Sequence, residues 1–151
     1  MIVENGVAFV DKAGNTLRFE NFRYEYPIGA HDYHDANWLH CTITSTSGIT
    51  HSVKGFLLTF ELQYLAETLR RVLAAPSTTA ELRFEPMEPY IALRISRNES
   101  RNVIDILSRL DLHPALGPVV EFNFECLPSA LHNTLADLDL LIADFPIRGK
   151  E

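Results

Sequence analysis

Lysine and arginine together supply only 13 of the 151 residues, against 20 aspartates and glutamates, so the chain carries a formal net charge of −7 and a pI near 5.3. Nucleic-acid binding needs a clustered positive field that displaces counterions from phosphates, and this balance sets that class aside. A negative surplus suits a basic protein partner instead, whose encounter it would accelerate. Long apolar runs are also missing. A membrane-spanning helix needs roughly 20 of them in succession, whereas the most apolar stretch, around 138–142, is broken by Asp139 and bounded by Asp144. Residues 1–6 have no basic segment followed by an apolar run and a small-residue cleavage site, so no secretory leader is expected. The seven glycines are scattered through turns and form no phosphate-cradling loop. No glycine-flanked serine elbow occurs either.

Only two cysteines are present, Cys41 and Cys126, far apart in strand-like segments. A disulfide between them is open to geometry, but buried thiols are the expected state for a chain that reads as cytoplasmic. Each shares a strand face with apolar neighbours, Leu39 and Ile43 for Cys41, Phe122 and Phe124 for Cys126, which argues for packing rather than nucleophilic chemistry.

What is present is ordinary globular material. The apolar fraction of 46% and charged fraction of 22% suit a folded chain, and the length suits one α+β domain over residues 1–151. Alternation of period two dominates. A short run at 7–10 and a turn at 11–15 lead into a strand at 16–24, whose apolar phase slips near Asn21 and predicts a bulge. Residues 38–46 set Leu39, Cys41 and Ile43 against Trp38, His40 and Thr42, and a tight turn at 46–48 pairs this strand with 49–55. Thr59 is placed to cap a helix carrying Leu62, Leu65, Ala66, Leu69, Val72 and Leu73, which Pro76 stops; Leu at position 62 argues against a capping box.

Strands recur at 80–84 and 90–96. The segment 103–111 fits a strand or a helix, and the close polar turns favour the strand. Another strand at 119–126 precedes a helix opened by Pro128, with Leu131, Leu135, Leu138, Ile142 and Phe145 on one stripe. The predicted order is ββββαββββα, mainly antiparallel, with about eight strands and two amphipathic helices. The two halves share an element order, but no residue motif recurs between them.

The densest chemistry lies in His31-Asp32-Tyr33-His34-Asp35, which runs into the only tryptophan, Trp38. Imidazoles and carboxylates are ligands for zinc, manganese or iron, so His31, Asp32, His34 and Asp35 are candidate metal ligands. In an extended segment at most three of the four could converge, and another ligand would have to come from elsewhere. The plainer reading is a polar loop before a strand, with Asp35 or Asn37 bonding to local backbone. Trp38 also has two readings. The favoured one puts its ring in the core beneath the first helix. The other makes it part of an exposed aromatic patch with Tyr24, Tyr26 and Tyr33, rimmed by Asp32 and Asp35, as at a protein interface. Strand carboxylates Glu81, Glu85, Glu121 and Glu125 form an alternative acidic surface.

The run Asp32-Tyr33-His34-Asp35-Ala36-Asn37-Trp38-Leu39, followed by a hairpin and then Phe56-Leu57-Leu58-Thr59-Phe60-Glu61-Leu62, resembles the WapI family of bacterial immunity proteins. Glu81–Glu85 with its proline-containing turn, the strand ending near Leu112-His113-Pro114, and the closing Asp144-Phe145-Pro146 resemble it too, over roughly 17–146. The resemblance implies a small non-enzymatic, cofactor-free cytoplasmic antidote that binds and blocks a polymorphic toxin domain. Such toxins are often nucleases with a basic substrate face. It brings no catalytic residues to carry over.

Overall fold

The computed structural model describes residues 5–26, 36–46, 48, 50–74, 81–112 and 119–149. Four strands, β1 (Val7–Val10), β2 (Thr16–Tyr24), β3 (Trp38–Ser45) and β4 (Thr50–Leu58), form one antiparallel sheet in sequential order. They lead directly into helix α1 (Thr59–Ala74). The second half repeats the plan: β5 (Leu82–Phe84), β6 (Ile91–Asn98), β7 (Val103–Leu110) and β8 (Val120–Cys126) form the other sheet, and α2 (Pro128–Asp144) closes it. The architecture is α+β, in the order ββββαββββα.

Each strand alternates because one face of its sheet is buried. On β7, the segment that also fits a helix, Ile104, Ile106, Ser108 and Leu110 are fully buried. Pairing with β6 and β8 on both flanks gives this segment a complete ladder of hydrogen bonds, which settles it as a strand. Asn21 adopts φ 58° where the β2–β3 register shifts, so the expected bulge is present. A second register shift lies between β3 and β4, with Gly55 at φ 56°. It lets β4 continue to Leu58, three residues past the predicted end.

The helices cross between the halves. α1 lies against β4, β5 and β6, α2 lies against β1, and the helices pack on each other. α1 buries Leu62, Leu65, Ala66, Leu69 and Val72. Each leucine or valine among them contributes about 2 kcal/mol when taken out of water, before the entropy of ordering it is subtracted. One cluster of buried side chains takes in both sheets, running from Phe9 and Phe19 through Phe56 to Phe84, Ile106 and Phe124. Cys41 and Cys126 sit in it as free thiols. Burial pushes the Cys41 thiol well up, and Cys126 up to about 12, so neither is a thiolate near neutral pH.

The joints between elements are polar. Thr134 of α2 donates to the Ala8 carbonyl at 2.7 Å, occupying part of the outer edge of β1. The Lys12 N–H donates to the Glu125 carbonyl at 2.9 Å, tying the first hairpin to β8. Arg97 on β6 donates to the Leu73 carbonyl at 2.7 Å, where a helix C-terminus leaves acceptors open and favours a cation.

Candidate functional site

The start of α1 corrects one sequence expectation. Thr59 is the first helical residue rather than the cap, and its hydroxyl donates to Asn37 Oδ1 at 2.7 Å. The reach-back comes from Glu61, whose Oε1 accepts the Leu58 N–H at 2.8 Å. That is half of a capping box, displaced by one residue from where Thr59 would have put it. The other oxygen of Glu61 accepts the Met87 N–H at 2.7 Å and so clamps the β5–β6 connection onto the helix.

Asn37 is the second anchor. It is fully buried, and besides Thr59 its Oδ1 accepts the Arg148 N–H at 2.8 Å while its Nδ2 donates to the Arg148 carbonyl at 2.9 Å. One side-chain amide thereby reproduces the two-bond pairing of a strand with the segment after α2. Arg148 then folds back. Nε donates to the Ala36 carbonyl at 3.1 Å, Nη2 donates to the Tyr26 carbonyl at 2.8 Å, and the guanidinium carbon lies 3.4 Å from the centre of the Tyr24 ring. The Tyr24 hydroxyl donates to the Pro146 carbonyl at 2.5 Å, and its ring meets Phe145 edge-on at 5.3 Å. Burial raises the Tyr24 pKa and the nearby Arg148 charge partly offsets this. Tyr24 is therefore turned toward the chain's own C-terminal segment.

Trp38 goes the other way. Its strand neighbours Leu39 and Cys41 are fully buried, but Trp38 is only half-buried and lies outside the core cluster, on the opposite face of β3. The favoured expectation of a core tryptophan beneath α1 is overturned: Leu39 and its cross-strand partner Leu57 occupy the core face, and alternation along β3 sends the indole to the other face. There it lines an open hollow of about 380 Å³ with Glu25, Tyr26, Lys54, Gly55, Glu88 and Tyr90. Gly55 enables this. Its positive φ disfavours any side chain, and a Cβ there would lie 3.9 Å from Trp38 Cε3, so a longer side chain would lie against the indole.

The floor of the hollow is well fixed. The Glu25 N–H donates to the Trp38 carbonyl at 2.9 Å, and Glu25 Oε2 accepts the Gly55 N–H at 3.2 Å. Behind it stands His40, 7% exposed, with Nε2 2.6 Å from Ser52 Oγ and Nδ1 3.3 Å from Arg23 Nη2. Since guanidinium can only donate, Nδ1 accepts and Nε2 carries the proton. Burial lowers the His40 pKa, Arg23 and Lys54 lower it further, and Glu25, 3.7 Å away, only partly opposes them. On the far wall Tyr90 packs against Phe56 at 6.4 Å. Three residues before it, Met87 is 61% exposed, and Tyr64, stacked on Phe84 at 5.9 Å, is 50% exposed.

The remaining candidates divide. His31, Asp32, Tyr33, His34 and Asp35 lie outside the described residues. Among the described residues, no group of three or more His, Cys, Asp or Glu side chains gathers as metal ligands do. Glu81, Glu85, Glu121 and Glu125 share the outer face of the second sheet with Arg83, Arg94 and Arg109, so this face is mixed in charge. Arg101 grips Glu125 through both oxygens, at 2.5 and 2.8 Å, and Arg83 pairs with Glu81 at 3.3 Å.

The family model described as the Immunity protein WapI-like family matches residues 8–146. The chain belongs to this family. Among solved structures, the WapI-like chain is similar to the plant transcriptional regulator PBF-2, at a TM-score of 0.50 and 8% identity, over 93% of this chain and 82% of that one. At that identity the likeness is one of fold. No curated protein matches the sequence. In the WapI-like chain, then, the described parts of the two segments that carried the resemblance, 36–39 and 56–62, are largely buried: Asn37, Thr59 and Glu61 tie β3, α1, the β5–β6 connection and the C-terminal segment together. Trp38 is only half-buried there and lines the hollow. Among the described helices none is long and apolar enough to cross a membrane.

Proposed function

We propose that the protein is the antidote to a bacterial toxin, which it neutralises in the cytoplasm by binding and covering it, without catalysis or cofactor. The contact is centred on the hollow formed by Trp38, Tyr26, Glu25 and Glu88, and extends along Asp32, Tyr33 and Asp35. The observation that carries this reading is the outward tryptophan. Membership of an immunity family supplies the toxin, and an aromatic side chain held half-exposed over a polar-rimmed depression is the usual anchor of a protein interface. Tyr24 belongs to the support of this surface, because its ring and hydroxyl are engaged by Arg148, Phe145 and Pro146. With a net charge of −7, the partner is a toxin with a basic surface, such as a nuclease.

Co-expression with the toxin encoded beside its gene tests the proposal. Growth should be rescued, the two chains should co-elute in size-exclusion chromatography, and Trp38→Ala should weaken the complex by about 2 kcal/mol or more. Absence of any complex would sink it.

A further inference from the structure

Resting on that reading, we infer that the hollow receives an arginine side chain of the toxin, laid against the Trp38 indole and paired with Glu25 and Glu88. Three observations converge on a planar cation. First, the lining is aromatic as well as acidic: Trp38, Tyr26 and Tyr90 surround a depression of about 380 Å³, roomy enough for a guanidinium and its stem. A ring face attracts a cation, and tryptophan does so most strongly. Second, the acceptors are open. Glu25 holds the Gly55 N–H through Oε2, which leaves Oε1 without a partner among the described residues, and Glu88 makes no hydrogen bond or ion pair among them. Two carboxylates face one amine, Lys54, which is itself exposed and unpaired among the described residues.

Third, the end of β2 next to the hollow already seats an arginine on an aromatic ring. Arg148 rests on the Tyr24 ring at 3.4 Å while donating to the Tyr26 carbonyl. Arginine fits better than lysine because a flat guanidinium stacks on an aromatic face and still forks onto a carboxylate. An anionic or purely apolar side chain would leave Glu25 and Glu88 desolvated and unpaired.

Trp38 is the only tryptophan, so its emission reports on this hollow alone. The intact protein is titrated with capped Gly-Arg-Gly and, separately, with the same tripeptide carrying citrulline, which keeps the shape and removes the charge. The arginine peptide should give a saturable change in emission and the citrulline peptide none. Glu88→Gln, checked for folding by circular dichroism, should weaken the arginine response about threefold. No saturable response, or equal responses to the two peptides, would overturn the inference. Because the toxin takes no part, that failure is distinct from failure to form a complex on co-expression, which strikes the immunity reading itself.

Discussion

Asn37 has no solvent contact and ties three segments through one amide. Replacing it with alanine leaves the Thr59 hydroxyl and both backbone groups of Arg148 without this partner. Unmade bonds of buried groups cost about 1–3 kcal/mol each, with partial relief from water at the Arg148 end. Asn37→Ala should therefore lower unfolding free energy by about 3 kcal/mol in urea titration, and Thr59→Val by about 1 kcal/mol. Equal small losses would mean that the amide is not the joint. His40 makes a prediction in pH. Its folded pKa is below the unfolded value of about 6.5, so the unfolded chain binds the proton more readily. Stability from this group is intact above that value and falls as pH drops through it, levelling off below the folded pKa. His40→Gln removes this component. Its deficit in melting temperature relative to the parent should shrink between about pH 7.5 and about pH 5. A constant deficit would show that His40 is not held neutral.

At the level of elements, the two bulges shape the site. Gly55→Ala puts a Cβ on a residue at φ 56°. The substitution should cost about 1–2 kcal/mol in urea titration and shift Trp38 emission, whereas Gly14→Ala, at the first turn with open space around it, should leave the emission unmoved. Most of the fold was legible because burying one sheet face imposes period two, and a slip in that period, as at Asn21, is itself a signal. Position 55 hid its bulge because a glycine that ends an alternating run looks the same as one that bends it. The helix start misled because the cap used a backbone N–H and a glutamate, with no side-chain oxygen at Leu58 to flag it. Trp38 was misplaced by size: a large aromatic invites burial, yet its alternation with Leu39 and Cys41 already put it on the outer face. Partners such as Arg148 were illegible, since more than a hundred residues separate them from Asn37 in sequence.

For the whole molecule, charge sets how a partner arrives and the hollow sets how long it stays. The surplus of −7 acts at a distance, within a Debye length, and is screened by salt. The hollow acts only in contact. The outer face of the second sheet gives a control, because its carboxylates alternate with Arg83, Arg94 and Arg109 and present no single-sign field. In stopped-flow association with the toxin, kon should fall steeply between low and physiological salt while koff stays nearly constant. Glu88→Gln should chiefly raise koff, because it removes a close partner of the entering cation. Glu121→Gln on the second sheet removes the same charge from the molecule and should leave koff unchanged, with at most a small decrease in kon. If Glu121→Gln raised koff as much as Glu88→Gln, the contact would lie on the second sheet and not at the tryptophan.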